Sequence, residues 1–310
     1  MALTMQEQIY EPFGRVLAVS NGTAEILITL DCGPNIISYK LLGGENMFHN
    51  DISRTALTTG AQMDEYYGEG AYWHNRGGHR LWVSPEALPE TYYPDNEPVA
   101  YEVQGDQVLL TPPAQKKNLW QYLITVEMDK EGSGVTVTHR VINLGQERKA
   151  AAWAITVMSQ KGVEIIPQPY RPTGLLSNRI FAVWPYADMS DPRICWGRNY
   201  ITLTQDPSAT ENFKIGLNNE HGWAAYLNHG CCFVKRFSHQ MSGEYPDGGM
   251  SFETYTCPTF TEVETLSPLH TLKTGEWMEH QEHWELFPVQ QIPSGKDMAA
   301  VEAFCAEYLK

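Results

Sequence analysis

Residues 15–30 read RVLAVSNGTAEILITL, and this stretch decides the fold class. It holds two apolar runs rich in β-branched residues, Arg15–Ser20 and residues 24–30, on either side of Asn21-Gly22. Asn-Gly between two such runs is the strongest local signal for a β-hairpin, because both residues readily adopt the positive φ angles of a type I′ turn. The sequence therefore predicts that the chain begins as an antiparallel sheet.

The same period-two alternation recurs along most of the chain. Clear examples lie at residues 120–128, 135–142 and 277–287, between turns rich in Gly, Pro, Asn and Asp. About a dozen strands with almost no interleaved helices exclude a doubly wound α/β fold and favour a large antiparallel β-sandwich or barrel.

One helix is predicted, at the C-terminal end. Residues 297–309 carry a partly amphipathic stripe, and Asp297 is placed to act as the N-cap. No linker, internal repeat or low-complexity tract divides the sequence. We therefore expect residues 1–310 to form a single all-β domain with one C-terminal helix.

The composition is that of a folded, acidic protein. The 310 residues are 42% hydrophobic, and 22 Lys and Arg against 37 Asp and Glu give a formal net charge of −15. This balance repels phosphate backbones and anionic lipids, so nucleic acid and membranes are not expected as partners. No stretch has the roughly 18–20 apolar residues of a membrane helix, and the start lacks a signal-peptide pattern, which predicts a cytoplasmic protein. The oligomeric state is left open.

One segment concentrates aromatic and hydrogen-bonding side chains. Residues 72–86 read YWHNRGGHRLWVSPE. Aromatic faces cover the C–H patches of a pyranose, while Arg, His, Asn and Glu side chains bind its hydroxyl groups. We predict a carbohydrate site here, with Asn75, Arg76, Trp82 and Glu86 as binding residues. The alternative is that the tryptophans belong to the core and the arginines pair with surface acids.

Two glutamates share a predicted strand near the C-terminus. Residues 261–266 read TEVETL, so Glu262, Glu264 and Leu266 lie on one face of the strand. If Leu266 points inward, both carboxylates are partly desolvated, and a glutamate whose pKa is raised by burial can act as a general base. The alternative is a solvated face of an outer sheet.

At these two segments the sequence resembles the galactose mutarotase-like superfamily, which includes the aldose 1-epimerases and the hexose-6-phosphate 1-epimerases. Residues 263–265, 272–276 and 284–286 are similar to its closing strands, where a Leu-Glu-Thr-Gln segment carries the general base. Arg76-Gly77-Gly78 is similar to the Arg-Gly-Gly segment of the phosphosugar branch, whose arginine lies at the sugar site. The resemblance implies a mutarotase-like β-sandwich with Glu264 as the base.

The general acid departs from this family pattern. Epimerases of the family place a histidine on a central strand after an Asn-containing turn, and the corresponding residues 152–156 read AWAIT. We therefore predict His79 as the acid, with His139 in reserve. Trp153, on the strand without the histidine, is predicted to bind the sugar.

The predicted function is the interconversion of sugar anomers by acid–base ring opening, which requires no cofactor. No metal site is expected, because His280 and His283 are three apart in a predicted strand and point to opposite faces. Two alternatives remain open: a non-catalytic carbohydrate-binding or regulatory protein of the same fold, and another sugar-directed reaction such as lysis or hydrolysis.

Overall fold

The computed structural model describes residues 3–309, and strands account for most of its regular structure. Among these residues there are 23 strands and two helices. In chain order the strands are β1 (Thr4–Ile9), β2 (Arg15–Ser20), β3 (Ala24–Thr29), β4 (Ile36–Leu41), β5 (Leu57–Thr58), β6 (Trp73–His74), β7 (Gly78–Ser84), β8 (Ala100–Gln104), β9 (Gln107–Thr111), β10 (Trp120–Met128), β11 (Val135–Asn143), β12 (Arg148–Met158), β13 (Val163–Pro167), β14 (Phe181–Val183), β15 (Ile194–Trp196), β16 (Tyr200–Thr204), β17 (Phe213–Leu217), β18 (Trp223–Asn228), β19 (Cys231–Phe237), β20 (Phe252–Thr256), β21 (Thr261–Leu266), β22 (His270–Leu272) and β23 (Trp277–Pro288). The helices are α1 (Ala61–Tyr67) and α2 (Met298–Tyr308).

Two large antiparallel sheets and one small ribbon contain these strands. The first sheet has the order β1-β2-β3-β4-β7-β12-β21-β20-β17-β14, and β22 pairs with the first residues of β12. The second sheet has the order β15-β16-β13-β18-β19-β23-β11-β10-β9-β8, and β5 pairs with β6. This architecture confirms the predicted all-β antiparallel sandwich with a C-terminal helix.

The main core lies between the two large sheets. Tyr39 of β4 and the neighbouring Phe48 contact Phe233 of β19 and Trp284 of β23, with ring centroids 5.7–6.0 Å apart. All four side chains are buried. Burial of a large apolar side chain contributes about 1.5–3 kcal/mol, so this aromatic group holds the inner faces of the sheets together.

The hairpin predicted at residues 15–30 forms, but its turn differs from the prediction. β2 and β3 pair antiparallel. Of the two predicted turn residues Gly22 has a positive φ of 86°, and Asn21 does not. The Asn21 side-chain oxygen instead accepts hydrogen bonds from the amides of Thr23 (2.9 Å) and Ala24 (3.0 Å). The side chain of Asn21 thus shapes the loop, which is a second way in which asparagine favours turns.

The two helices had different signals in the sequence. Helix α2 is the predicted one, and the Asp297 side chain caps it by accepting a hydrogen bond from the amide of Ala300 at 3.1 Å. Helix α1 was not predicted, because it has seven residues, begins after Gly60 without a side-chain cap and buries only Met63. Within the described residues, neither helix has the length and apolar character needed to cross a membrane.

Candidate functional site

Three strands of the first sheet, β7, β21 and β20, present charged side chains on one face, and β12 lies between β7 and β21. Their register places Arg80, Glu264 and Glu253 in one row across the sheet. Side chains alternate between the two faces of a strand, so Trp82 and Glu262 share this face. The opposite face belongs to the main core, and the charged face therefore points away from the second sheet.

A cleft with two connected lobes covers this face. The first lobe encloses about 360 Å³ and the second about 350 Å³. Both lobes are lined by Glu86, Tyr92, Trp153, Trp184 and Lys214, so the cleft is continuous. The first lobe is also lined by Trp73, Asn75, Arg80, Trp82, Tyr186, Asn212, Tyr255, Phe260 and Glu262. The second lobe is also lined by Ser84, Pro85, Leu88, Asp247 and Glu253.

Arg80 is held between two indole rings and a carboxylate. Its guanidinium carbon lies 4.4 Å from the ring centroid of Trp82 and 5.3 Å from that of Trp73. Its Nη2 donates a hydrogen bond of 2.9 Å to Oε1 of Glu262. Cation–π contacts and a charge-assisted hydrogen bond together fix the arginine. We call these four residues the Arg80 cage.

Lys214 of β17 has similar surroundings. Its Nζ lies 2.8 Å from Oε2 of Glu253 and 3.0 Å from Oε2 of Glu264. The same ammonium lies 4.7 Å from the ring centroid of Trp153 and 4.6 Å from that of Trp184. Oε2 of Glu264 also accepts a hydrogen bond of 2.8 Å from Nε1 of Trp153. We call these five residues the Lys214 cage.

Burial shifts the pKa values of the charged groups in the Lys214 cage. Burial raises the pKa of Glu253 well above its ordinary value, although Lys214 opposes the shift. Burial also raises the pKa of Glu264, with Lys214 again in opposition. Burial disfavours the charge of Lys214, but the two carboxylates outweigh this effect and raise the pKa of its ammonium. Among the described residues, Oε1 of Glu253 and Oε1 of Glu264 are buried without a hydrogen-bond partner.

Solved structures share this architecture, although no family model and no curated protein matches the sequence. One is a TPR-domain containing protein from Parabacteroides distasonis ATCC 8503 (TM-score 0.56, 12% identity, 90% of this chain and 49% of that one). A second is a proposed mutarotase from Salmonella typhimurium (TM-score 0.53, 11% identity, 92% of this chain and 97% of that one). A third is a galactose mutarotase-like protein from Clostridium acetobutylicum (TM-score 0.50, 10% identity, 93% of this chain and 99% of that one). The chain has the galactose mutarotase-like fold. It spans about half the length of the Parabacteroides protein and nearly all of the other two.

Most of the predicted sugar-binding residues of this protein lie together. Asn75, Trp82, Glu86 and Trp153 all line the cleft. Glu264 lies beneath the cleft, fully buried and bonded to Trp153. The structure thus brings five residues from distant parts of the chain to one face of the sheet, and their contact with a sugar stays a prediction.

Arg76 does not join this group. Its guanidinium donates to Oδ1 of Asp95 at 2.6 Å and to Oδ1 of Asn96 at 2.5 Å, and the side chain is 4% exposed. These bonds connect the start of β7 to the loop that precedes β8. The predicted role in sugar binding therefore conflicts with the position of Arg76, because the side chain is buried and both of its Nη atoms bond within the protein. Arg80 occupies the cleft instead.

The Gly77-Gly78 pair also serves packing rather than close approach to a ligand. Both residues have positive φ angles, of 84° and 64°. A Cβ atom on Gly77 would lie 2.0 Å from the carbonyl oxygen of His49, and one on Gly78 would lie 2.3 Å from that of Ile36. The two glycines let the backbone entering β7 pass against neighbouring backbone.

His79 and His139, the predicted acid and its reserve, lie in the core between the sheets. His79 alternates with Arg80 on β7 and therefore points to the opposite face, where it is fully buried. The Nε2 atoms of the two histidines lie 2.6 Å apart, and Nδ1 of His139 donates to the carbonyl of His280 at 3.0 Å. Neither imidazole can touch a molecule in the cleft. The alternation of side chains along β7 places His79 and Trp82 on opposite faces of the strand. The sequence pattern alone therefore argues against a shared site for these two residues.

Three buried side chains of the core have the chemistry of metal ligands. His79, His139 and Glu282 offer ligand atoms within 4.8 Å of one another. However, Nζ of Lys235 lies 3.0 Å from Glu282, whose other oxygen accepts a hydrogen bond from Nε1 of Trp284. The lysine already supplies the cationic partner that a buried carboxylate needs, so the group is satisfied as part of the core.

Sequence reasoning missed Lys214 and Glu253. Both are charged residues inside strands whose neighbouring residues are buried, Phe213–Leu217 and Phe252–Thr256. A charged residue is almost never buried unless it is paired, so these two strands held a usable signal. Their partners could not be assigned, because Lys214 and Glu264 meet only through the order of β17, β20 and β21 in the sheet.

Proposed function

We propose that this mutarotase-like protein binds a carbohydrate in the cleft and interconverts its anomers. The observation that carries the proposal is the lining of the cleft, where the half-buried Trp184 and the exposed Tyr186 accompany the polar groups of Asn75, Glu86 and Glu262. The buried Trp73, Trp82 and Trp153 complete the lining. Indole faces suit the C–H patches of a sugar ring, and amide and carboxylate groups suit its hydroxyls. The fold supports a sugar-related role, since mutarotase-like proteins share it.

The proposed reaction uses the two carboxyl groups of the Lys214 cage. Glu264, held by Lys214 and Trp153, accepts the proton of the C1 hydroxyl. Glu253, whose pKa is raised by burial, takes the role of acid that was predicted for His79. It protonates the ring oxygen as the bond from C1 to that oxygen breaks. The open chain rotates about C1–C2, and the reverse proton transfers close the ring as the other anomer.

A non-catalytic carbohydrate-binding protein is the second candidate. It is favoured by the complete burial of Glu264, whose relative exposure is 0%. A general base has to come within hydrogen-bond distance of the proton that it removes. In this alternative the Lys214 cage orders the floor of the cleft, and the sugar binds without reaction.

Polarimetry separates these two functions. Freshly dissolved α-anomers of glucose, galactose and mannose equilibrate slowly in buffer, and the proposed enzyme accelerates at least one of them. Calorimetric titration with the same sugars reports binding. Acceleration supports the epimerase, and binding without acceleration supports the second candidate. The absence of both with these sugars and with their disaccharides would overturn the assignment of the cleft to carbohydrates.

A further inference from the structure

The two cations of the cleft are both held by partners within the protein. Arg80 and Lys214 are the Lys and Arg residues among those that line the two lobes. Arg80 lies between two indoles and donates to Glu262, while Lys214 lies between two other indoles and contacts two carboxylates. Both side chains are buried, with relative exposures of 6% and 5%.

Acidic groups outnumber these cations along the cleft. Glu86, Asp247, Glu253 and Glu262 line it. Glu264 lies behind them, in contact with Lys214. Even with Glu253 protonated, the remaining carboxylates exceed the two positive charges. An anion entering the cleft therefore meets like charge, which is strongly unfavourable in a partly desolvated site.

A phosphate group would also have to disturb a cage to pair closely with Arg80 or Lys214. Taking Arg80 away from Glu262 leaves a carboxylate that is 8% exposed without its partner. Breaking a buried ion pair in this way is costly, because one charge stays buried and uncompensated. Arg76, the other arginine of this segment, is held by Asp95 and does not line the cleft.

The length of the cleft bears on the size of the ligand. The two lobes, of about 360 and 350 Å³, meet along Trp153, Trp184 and Lys214. Each lobe has an exposed apolar side chain, Tyr186 (50% exposed) in the first and Leu88 (48% exposed) in the second. Apolar surface of this kind suits the faces of sugar rings lying in succession.

We propose that the cleft selects a neutral saccharide of at least two rings and rejects sugar phosphates. This inference rests on the proposed carbohydrate binding, and it holds whether or not the sugar reacts. The two cages set the charge selectivity, because they consume the only cations that the lining offers. The two lobes set the length.

Calorimetric titration of the full chain tests this inference with glucose, galactose, maltose, cellobiose, lactose and the 6-phosphates of the two monosaccharides. We expect at least one disaccharide to bind about tenfold more tightly than glucose and galactose, and each 6-phosphate to bind at least about tenfold more weakly than its parent sugar. Equal or tighter binding of a 6-phosphate, or no gain from a second ring, would overturn the inference and leave carbohydrate binding intact. If none of the compounds binds, the proposed function fails first.

Glu262→Gln tests the cause of the charge selectivity. The glutamine keeps the shape of the side chain and one hydrogen bond to Arg80, but it removes the negative charge from the Arg80 cage. The rejection of the 6-phosphates should then weaken by about tenfold, while affinity for the neutral disaccharide changes less. Glu279→Gln, on the outer face of the second sheet, is the matched control. Unchanged rejection in Glu262→Gln would show that the cages do not set the selectivity.

Discussion

Arg76 and Arg80 show how two arginines of one short segment take different roles. Arg76 lies before β7 and binds Asp95, which ties two loops together. Arg80 lies within β7 on the cleft face and binds Glu262. Residue type and proximity in sequence gave both the same chance of contacting a sugar. Position on the strand, and the partners supplied by distant segments, distinguish them.

The first prediction at this scale concerns Arg76→Ala. The substitution should lower the free energy of unfolding by about 1.5–3 kcal/mol, because it removes charge-assisted hydrogen bonds from a buried side chain. Affinity for the bound sugar should not change, because Arg76 does not line the cleft. Urea denaturation and calorimetric titration measure the two effects. Weaker sugar binding with unchanged stability would return Arg76 to the binding site.

The second residue prediction concerns the proposed base. Glu264→Gln keeps an acceptor for Trp153 but cannot take a proton, so mutarotation should slow by about 10² to 10⁴. Sugar affinity should fall much less than the rate. Polarimetry on the variant, beside the Glu279→Gln control, gives the comparison. A rate near that of the unmodified protein would exclude Glu264 as the base.

At the scale of elements, period-two alternation predicts most of the fold and part of the site. It identifies the hairpin of β2 and β3, the long strands β10, β11 and β23, and the shared face of Glu262 and Glu264. It does not predict which strands become neighbours, since pairing between distant strands depends on the packing of the whole chain. The contact between Lys214 and Glu264 depends on this pairing and was therefore not predicted. Helix α1 was missed because a seven-residue helix carries little periodicity.

The element prediction concerns the entry into β7. Gly78→Ala places a Cβ atom 2.3 Å from the carbonyl oxygen of Ile36 in β4, in addition to the strain of its positive φ. Gly105→Ala is the matched control, because Gly105 has a φ of 66° and nothing within 4 Å of its Cβ position. The control should lose about 1–2 kcal/mol, the cost of the left-handed conformation. Gly78→Ala should lose clearly more in urea denaturation, and equal losses would show that contact between β4 and β7 is not limiting.

At the scale of the whole molecule, a buried polar cluster joins the inner faces of the two sheets. His79 comes from the first sheet, while His139, His280, Lys235 and Glu282 come from the second. Oγ1 of a threonine in β21 contacts His280 at 2.7 Å, which adds a further bond between the sheets. Burial lowers the pKa of all three histidines, in the case of His280 to about 3. The cluster therefore keeps its histidines neutral, and only Lys235 and Glu282 form an ion pair.

The last prediction follows from these neutral histidines. In the unfolded chain a histidine has a pKa near 6.5, whereas burial lowers the pKa of His79, His139 and His280 in the folded protein. Below about pH 6.5 the unfolded state therefore binds more protons, and the free energy of unfolding decreases as the pH drops, by at most about 1.4 kcal/mol per pH unit for each such histidine. The full stabilisation is present above that pH. His139→Gln should reduce this slope between pH 6 and pH 5 in urea denaturation, compared with a His270→Gln control outside the cluster. An identical slope in the two variants would mean that His139 is protonated in the folded protein, which its burial and the ammonium of Lys235 make unfavourable.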